Sequence, residues 1–373
     1  MKWSWRLGRV GDIEVFVHAT FALIVAFVGW SHWSHGAGLS GVVEGIAFLL
    51  AIFACVVLHE FGHAMAARRF GIKTRDITLY PIGGVARLEG MPEKPLEELW
   101  VALAGPSVNV VVAVVLFVWL VLSHTLQPLG GLTVASGPFF ERLLATNIFL
   151  AGFNLIPAFP MDGGRVLRAV LAMKLEYTQA TQIAASIGQG VALLFGFWGL
   201  FGNPMLLFIA FFVWIGAAQE ASMVQIRSAL AGIPVSRAMM TNFDTLSPAD
   251  PLTKAVELIL RASQQDFPVM KDNAVVGILT RSDLLVALAQ RPQDTPVGEV
   301  MIKDFVVVES GEMLEQLFSR LQECGCHTVP VMQNQTLIGV VTSDNIGEFL
   351  MIQAALKGQA PRPLPPIPRE TTQ

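Results

Sequence analysis

His59-Glu60-Phe61-Gly62-His63 closes a long apolar run and brings together side chains able to bind and work with a metal ion. On a helix, residues four apart share one face at about 6 Å, so both imidazoles can reach one ion. Glu60 stands beside them, where a carboxylate could take a proton from an attacking water. No charged residue lies between Gly45 and Leu58, and Arg68 and Arg69 follow the motif. The setting is that of a metal site inside a membrane helix. Two histidines leave zinc short of the three protein ligands usual at a catalytic centre. Acidic residues near the cytoplasmic ends of other spans are the candidates for the third. Asp162 stands out, in Asn154-Leu-Ile-Pro-Ala-Phe-Pro-Met-Asp162-Gly-Gly164. The prolines and glycines leave the backbone free to aim a short carboxylate, and a carboxylate at membrane depth is costly unless used.

The elements that must position these groups are apolar runs at roughly 15–34, 41–64, 99–123, 139–160, 180–201 and 204–222. Each approaches the ~20 residues a helix needs to cross the hydrocarbon. Pro157 and Pro160 interrupt the fourth, which is tolerated where a broken helix lines a protein cavity. The composition agrees: 53% of the 373 residues are hydrophobic and 14% charged, with a mean hydropathy of +0.56. Soluble domains carry about 25% charged residues, so much of this chain belongs in a lipid bilayer. A net charge of -4 argues against nucleic acid as a partner.

Basic residues set the orientation. With the N-terminus cytoplasmic, the inner segments hold Lys2, Arg6 and Arg9, then Arg68 to Lys94, then Arg165, Arg168 and Lys174. The outer loops near 35–40, 124–138 and 201–204 hold no Lys or Arg, and Arg142 alone sits awkwardly at an outer end. Six spans return the chain to the cytoplasmic side of the cell membrane. Residues 45–58 rise about 21 Å, which sets the histidines a few ångströms inside the cytoplasmic leaflet, level with Asp162. Thr74–Gly90 is β-prone, with turn signals at Pro81, Gly83 and Gly84. It reads as a hairpin at the inner membrane face.

Other polar groups carry blander readings. Asn147 and Cys55 read as packing residues, Gly105 as an allowance for close helix approach, and His18, His32 and His35 as interfacial. Three cysteines give no disulfide framework, consistent with a reducing compartment. Cys324-Gly-Cys326-His327 is spaced too tightly for a metal site and reads as a turn.

Beyond residue 228 a repeat appears. Met239 aligns with Met301, Pro268 with Pro330, Gly277 with Gly339 and Thr280 with Thr342. The expected domains are 1–228, then a pair at 229–356 (about 235–291 and 297–354), then a proline-rich disordered tail at 357–373. Each repeat is small enough to need its twin to bury an apolar face.

His-Glu-Phe-Gly-His in the second span, Gly-Pro-Ser-Val-Asn (Gly105 to Asn109) in the third and Asn154 to Gly164 in the fourth together resemble the site-2 proteases, intramembrane zinc metalloproteases. The repeats resemble paired CBS (cystathionine-β-synthase) domains. The resemblance implies a polytopic α-helical membrane domain of six spans with a membrane-associated β-hairpin, joined to a cytoplasmic α/β pair. It implies His59, His63 and Asp162 as zinc ligands, Glu60 as general base, and Asn154 beside the scissile carbonyl. Gly83, Gly84 and Asn109 are then expected at the substrate, although hydrogen bonding between helices would also account for Asn109 and Asn154. The substrate class implied is a single-span, membrane-tethered regulatory protein. The repeats imply an adenine nucleotide near Thr280 and Asp283, with Thr342 and Asn345 as the weaker counterpart, and pairing of two copies. The rival classes are a CBS-gated transporter or channel and an inactive scaffold that binds membrane helices.

Overall fold

The computed structural model of the chain describes residues 3–10, 12–81, 83–88, 94–125, 137–261, 264–324 and 326–356. Two compact units, Met1–Val224 and Gln225–Gln373, divide the chain.

The first unit opens with strands β1 (Ser4–Val10) and β2 (Ile13–His18), followed by helices α1 (Phe21–Ser34) and α2 (Gly38–Arg69) and strands β3 (Thr74–Tyr80) and β4 (Gly83–Leu88). β3 and β4 pair antiparallel, and they form half of a larger sheet ordered β1-β2-β3-β4 with β2 and β3 parallel. Residues 15–18, read from sequence as the start of a membrane helix, therefore belong to a strand. Alternation decides this: Ile13 and Val17 point to one face and pack with Ala64, Ile77, Phe53 and Leu79.

Helices α3 (Pro95–Leu122), α4 (Phe139–Asn154), α5 (Asp162–Ala172), α6 (Tyr177–Phe201) and α7 (Pro204–Leu230) follow. Among the described residues four helices, α2, α3, α6 and α7, are long and apolar enough to cross a membrane, and only 17–33% of the most apolar stretch of each is buried. The remainder presents apolar side chains outward, as a protein solvated by lipid must. α1 and α4 have 14 and 16 residues, about 21 and 24 Å of rise, so two of the six runs expected to span form shorter helices. α4 stops at Asn154 because Pro157 cannot continue a helix and disfavours helical backbone before it. Residues 126–136 of the expected outer loop lie outside the described residues, as does the tail at 357–373.

Two arginines depart from simple cytoplasmic or interfacial roles. Arg142 lies 3.9 Å from the Phe48 ring centroid and 3.8 Å from Glu44 Oε1, which accounts for a cation at an apolar end. Arg168 of α5 is 1% exposed. Its Nε donates to Glu98 of α3 at 2.8 Å, another nitrogen donates to Glu220 of α7, and its guanidinium faces the rings of Phe159 and Tyr177. Burial and pairing remove it from the topological signal and make it the pin that fixes α5 between α3 and α7.

In the second unit α8 (Leu252–Arg261), β5 (Phe267–Lys271), β6 (Ala274–Leu279) and α9 (Arg281–Gln290) form one repeat. β7 (Val308–Glu309), α10 (Leu314–Cys324), β8 (Thr328–Gln333), β9 (Thr336–Thr342) and α11 (Ser343–Leu356) form the other. The cores interlock. Val235 packs with Leu314, Leu317 and Val329 of the second repeat, while Val297 packs with Leu252, Val269 and Leu279 of the first. Met240 pairs with Val340 and Ile302 with Ile278, so each leading segment completes its twin. Cys324 and Cys326 form a local disulfide across one residue, a single link where no disulfide framework is expected.

Candidate metal centre

One face of α2 carries Cys55, His59, His63 and Ala67 at four-residue intervals, all buried. The helical period therefore stacks the two imidazoles, and α3 and α5 close over them. His59 Nε2 and His63 Nε2 lie 3.1 Å apart, and Asp162 Oδ2 lies 3.2 and 3.1 Å from them. Zinc ligands at about 2.0–2.1 Å in a tetrahedron stand about 3.3–3.4 Å from one another, so the triangle has the size zinc requires.

The hydrogen bonds behind the triangle point to the same conclusion. His63 Nδ1 lies 2.7 Å from the Val101 carbonyl oxygen, which can only accept, so Nδ1 carries the proton and the Nε2 lone pair faces inward. His59 Nδ1 lies 2.5 Å from Asn109 Oδ1, with the same consequence. Three acceptors thus converge in a buried space without a donor among them. A cation resolves that arrangement, and histidines held by a second partner are typical of metal centres. His59, His63 and Asp162 fit zinc.

Asp162 is the first residue of α5, and its Oδ2 lies within hydrogen-bond distance of His59 and His63. The carboxylate is turned to the imidazoles. The preceding turn makes this possible: a Cβ on Gly163 would stand 2.2 Å from the Ile156 carbonyl oxygen, so only glycine lets residues 155–158 fold back on the helix start. Gly105 of α3 has more than a packing role. A Cβ there would stand 2.2 Å from His63 Nε2 and 2.7 Å from His59 Nε2. The bare backbone of α3 is one wall of the centre.

Glu60 is half-buried, and its Oε2 accepts the Ala86 backbone N–H at 3.3 Å. β4 is the end strand of the sheet, so its unpaired edge faces the carboxylate. Gly84 permits this approach, because a Cβ would stand 2.9 Å from Glu60 Cγ and 3.0 Å from Val56 Cγ1. Gly83, at φ 149°, takes the turn conformation that other residues rarely adopt.

Asn109 is fully buried, with Oδ1 at His59 and Nδ2 donating to Asn147 Oδ1 at 3.0 Å. Its amide oxygen thus serves His59 and one of its N–H groups serves Asn147. Asn154 ends α4 half-buried, and among the described residues nothing hydrogen-bonds its side chain. His32 and His35 bond carbonyls within their own helix turn, remote in sequence and partner from the centre. From sequence, Gly105 and Asn147 read only as packing positions, and the Val101 carbonyl and the Ala86 N–H carried no reading. Only Asn147 left a usable signal there, as a buried amide in an apolar helix that must find partners. In the second unit Thr280 Oγ1 meets Asp283 and Thr342 Oγ1 meets Asn345 Oδ1 at 2.7 Å. Thr328 donates to Asp266, the equivalent position 62 residues earlier.

The profile of Peptidase family M50 matches residues 47–136 and 132–195, and that of the CBS domain matches 235–290 and 297–351. A zinc metalloprotease of Methanocaldococcus jannaschii is 32% identical over 336 residues, 86% of this chain and 95% of that protein. A protein of Mycobacterium tuberculosis assigned as a zinc metalloprotease is 26% identical over 366 residues, 92% of each chain. The solved site-2 protease of Methanocaldococcus jannaschii is 37% identical, aligned over 59% of this chain and 95% of its own, with a TM-score of 0.44.

Proposed function

The chain belongs to Peptidase family M50, the site-2 zinc metalloproteases, and from that premise we propose that it cleaves a transmembrane segment of a membrane-tethered regulatory protein near the cytoplasmic face. The observation that carries this reading is the convergence of His59, His63 and Asp162 on one buried point, with Glu60 the next residue to His59. Zinc held there would polarise a peptide carbonyl and bring the pKa of a water to about 7. Glu60 Oε2 would hold the proton of that water and return it to the leaving amine. Val101 and Asn109 hold the imidazoles in one tautomer, so no rearrangement is needed during the reaction. Asn154, uncommitted in its hydrogen bonding, would donate its amide N–H to the scissile carbonyl.

A substrate helix hides its amides in its own hydrogen bonds and must open before cleavage. The free edge of β4, whose Ala86 N–H meets Glu60, supplies a partner for the opened strand, with Gly83 and Gly84 shaping that edge. In this reading α1 and α4 complete a six-span arrangement, the sheet lies at the inner membrane face and both termini are cytoplasmic. Residues 1–228 form the protease domain, and 229–356 form a CBS pair that controls it. An adenine nucleotide would bind at Thr280 and Asp283, and more weakly at Thr342 and Asn345.

The test is proteolysis of a tagged single-span substrate by the purified chain, with and without a zinc chelator, beside Glu60→Gln. Cleavage that stops with chelator and with Glu60→Gln is expected. Cleavage by Glu60→Gln would overturn the assignment of the base. Failure to cut any helix-destabilised substrate would favour a scaffold or transporter.

A further inference from the structure

Asn147 of α4 is fully buried in an apolar helix and does not approach the triangle directly. Its Nδ2 donates to the Leu143 carbonyl oxygen at 2.9 Å and to Cys55 Sγ at 3.4 Å, while its Oδ1 accepts Asn109 Nδ2 at 3.0 Å. Asn109 Oδ1 in turn meets His59 Nδ1. Amide side chains are ambiguous in isolation, since oxygen and nitrogen can exchange places by a flip. This chain of bonds is not ambiguous, because it starts at a backbone carbonyl. Leu143 O can only accept, so Asn147 must turn its NH2 group there and its oxygen toward Asn109. Asn109 must then present NH2 to Asn147 and oxygen to His59. His59 Nδ1 must carry hydrogen, and its Nε2 lone pair is left for the centre.

We propose that Asn147 is a positioning residue that sets the polarity of His59 through Asn109, holding Nε2 free as a metal ligand. The inference rests on the zinc-centre reading above. His63 needs no such relay, because the Val101 carbonyl faces it directly. His59 meets a reversible amide instead, and the reversal would place NH2 against Nδ1 and hydrogen on Nε2, where a metal must bind. Asn147 closes off that alternative, with the polarity of a peptide group as its reference.

Two near-isosteric substitutions separate this role from simple helix packing. Asn147→Leu fills the same space and removes the relay, so Asn109 is free to flip. Asn147→Asp keeps an oxygen toward Asn109 in either protonation state. Its neutral form, favoured by burial, also donates to Leu143 O. Zinc affinity of the full chain in detergent, read by chelator competition, is expected to fall about 10- to 100-fold in Asn147→Leu and to stay within about threefold of the parent in Asn147→Asp. Metal-free thermal stability, measured alongside, should follow the opposite order, since a packing role penalises a buried carboxyl more than a leucine. Wild-type zinc affinity in Asn147→Leu, or an equal loss in both variants, would overturn the proposal. Should Asn147→Leu not fold, a tenfold or greater loss in Asn147→Asp overturns it alone, and affinity within threefold supports it. A parent chain that takes up no zinc would sink the metal-centre reading itself, a separate result.

Discussion

Each side chain around the triangle has a distinct task, and the tasks predict different phenotypes. Gly105→Ala puts a methyl where His63 Nε2 now lies, 2.2 Å from the ideal Cβ. Zinc content measured on purified protein should fall from one per chain to near zero. In the proposed reading Glu60 accepts a proton and is not a ligand, so in Glu60→Gln zinc content should stay at one per chain while hydrolysis drops about 100- to 10,000-fold. Substitutions of neighbouring residues thus separate metal binding from proton transfer, and metal analysis beside an activity assay distinguishes them. Gly84→Val belongs with the second kind. Its side chain would press on Glu60 Cγ and Val56, moving the carboxylate from the β4 edge and lowering turnover with zinc retained. Zinc loss in that variant would show that β4 supports the fold of the centre instead.

At the scale of elements, three helices and a sheet edge hold the centre, and α5 depends on a pin remote from the metal. Arg168 is 1% exposed and pairs with Glu98, itself inaccessible. Removing one partner of such a pair leaves an uncompensated buried charge and costs about 3–5 kcal/mol. Arg168→Ala should lose that much stability in detergent denaturation. Because α5 starts with Asp162, it should also bind zinc less tightly. Glu98→Gln keeps a hydrogen-bond acceptor for the guanidinium and should be milder on both counts. The sheet was partly legible beforehand: Pro81, Gly83 and Gly84 marked the turn between β3 and β4. The parallel contact of β2 with β3 was not, because it joins segments separated by α1 and α2, and nothing local encodes such pairing. For the same reason β2 looked like the start of a membrane helix; its apolar content is real, but its partners are distant strands.

For the whole molecule, the two repeats cannot be independent domains, since Val235 sits in the second core and Val297 in the first. Deleting one repeat should unfold the other, read by loss of the second unit's protease resistance. The hydroxyl–carboxylate pair at Thr280 and Asp283 is matched by a hydroxyl–amide pair at Thr342 and Asn345, which lacks the charge. If an adenine nucleotide binds the intact chain, Asp283→Ala should weaken it more than Asn345→Ala, measured by titration calorimetry. An anionic acceptor makes the stronger hydrogen bond to a ribose hydroxyl.

The sequence by itself determined the chemistry. His59, Glu60 and His63 are fixed by helical spacing, the apolar runs by composition, and the tandem pair by a constant 62-residue offset, all local or periodic properties that a linear pattern can carry. Asp162 was legible as an acid between helix-breaking residues. Its carboxylate could have capped α5 or faced the histidines, and only the fold chose. The roles of Gly105, Asn109 and Asn147 belong to tertiary structure alone. A glycine wall and a chain of amides acquire meaning from what stands opposite them, and those partners come from helices tens of residues away. Hydrogen-bond polarity runs from the Leu143 carbonyl to His59 across three helices, and such a path exists only once the helices are packed.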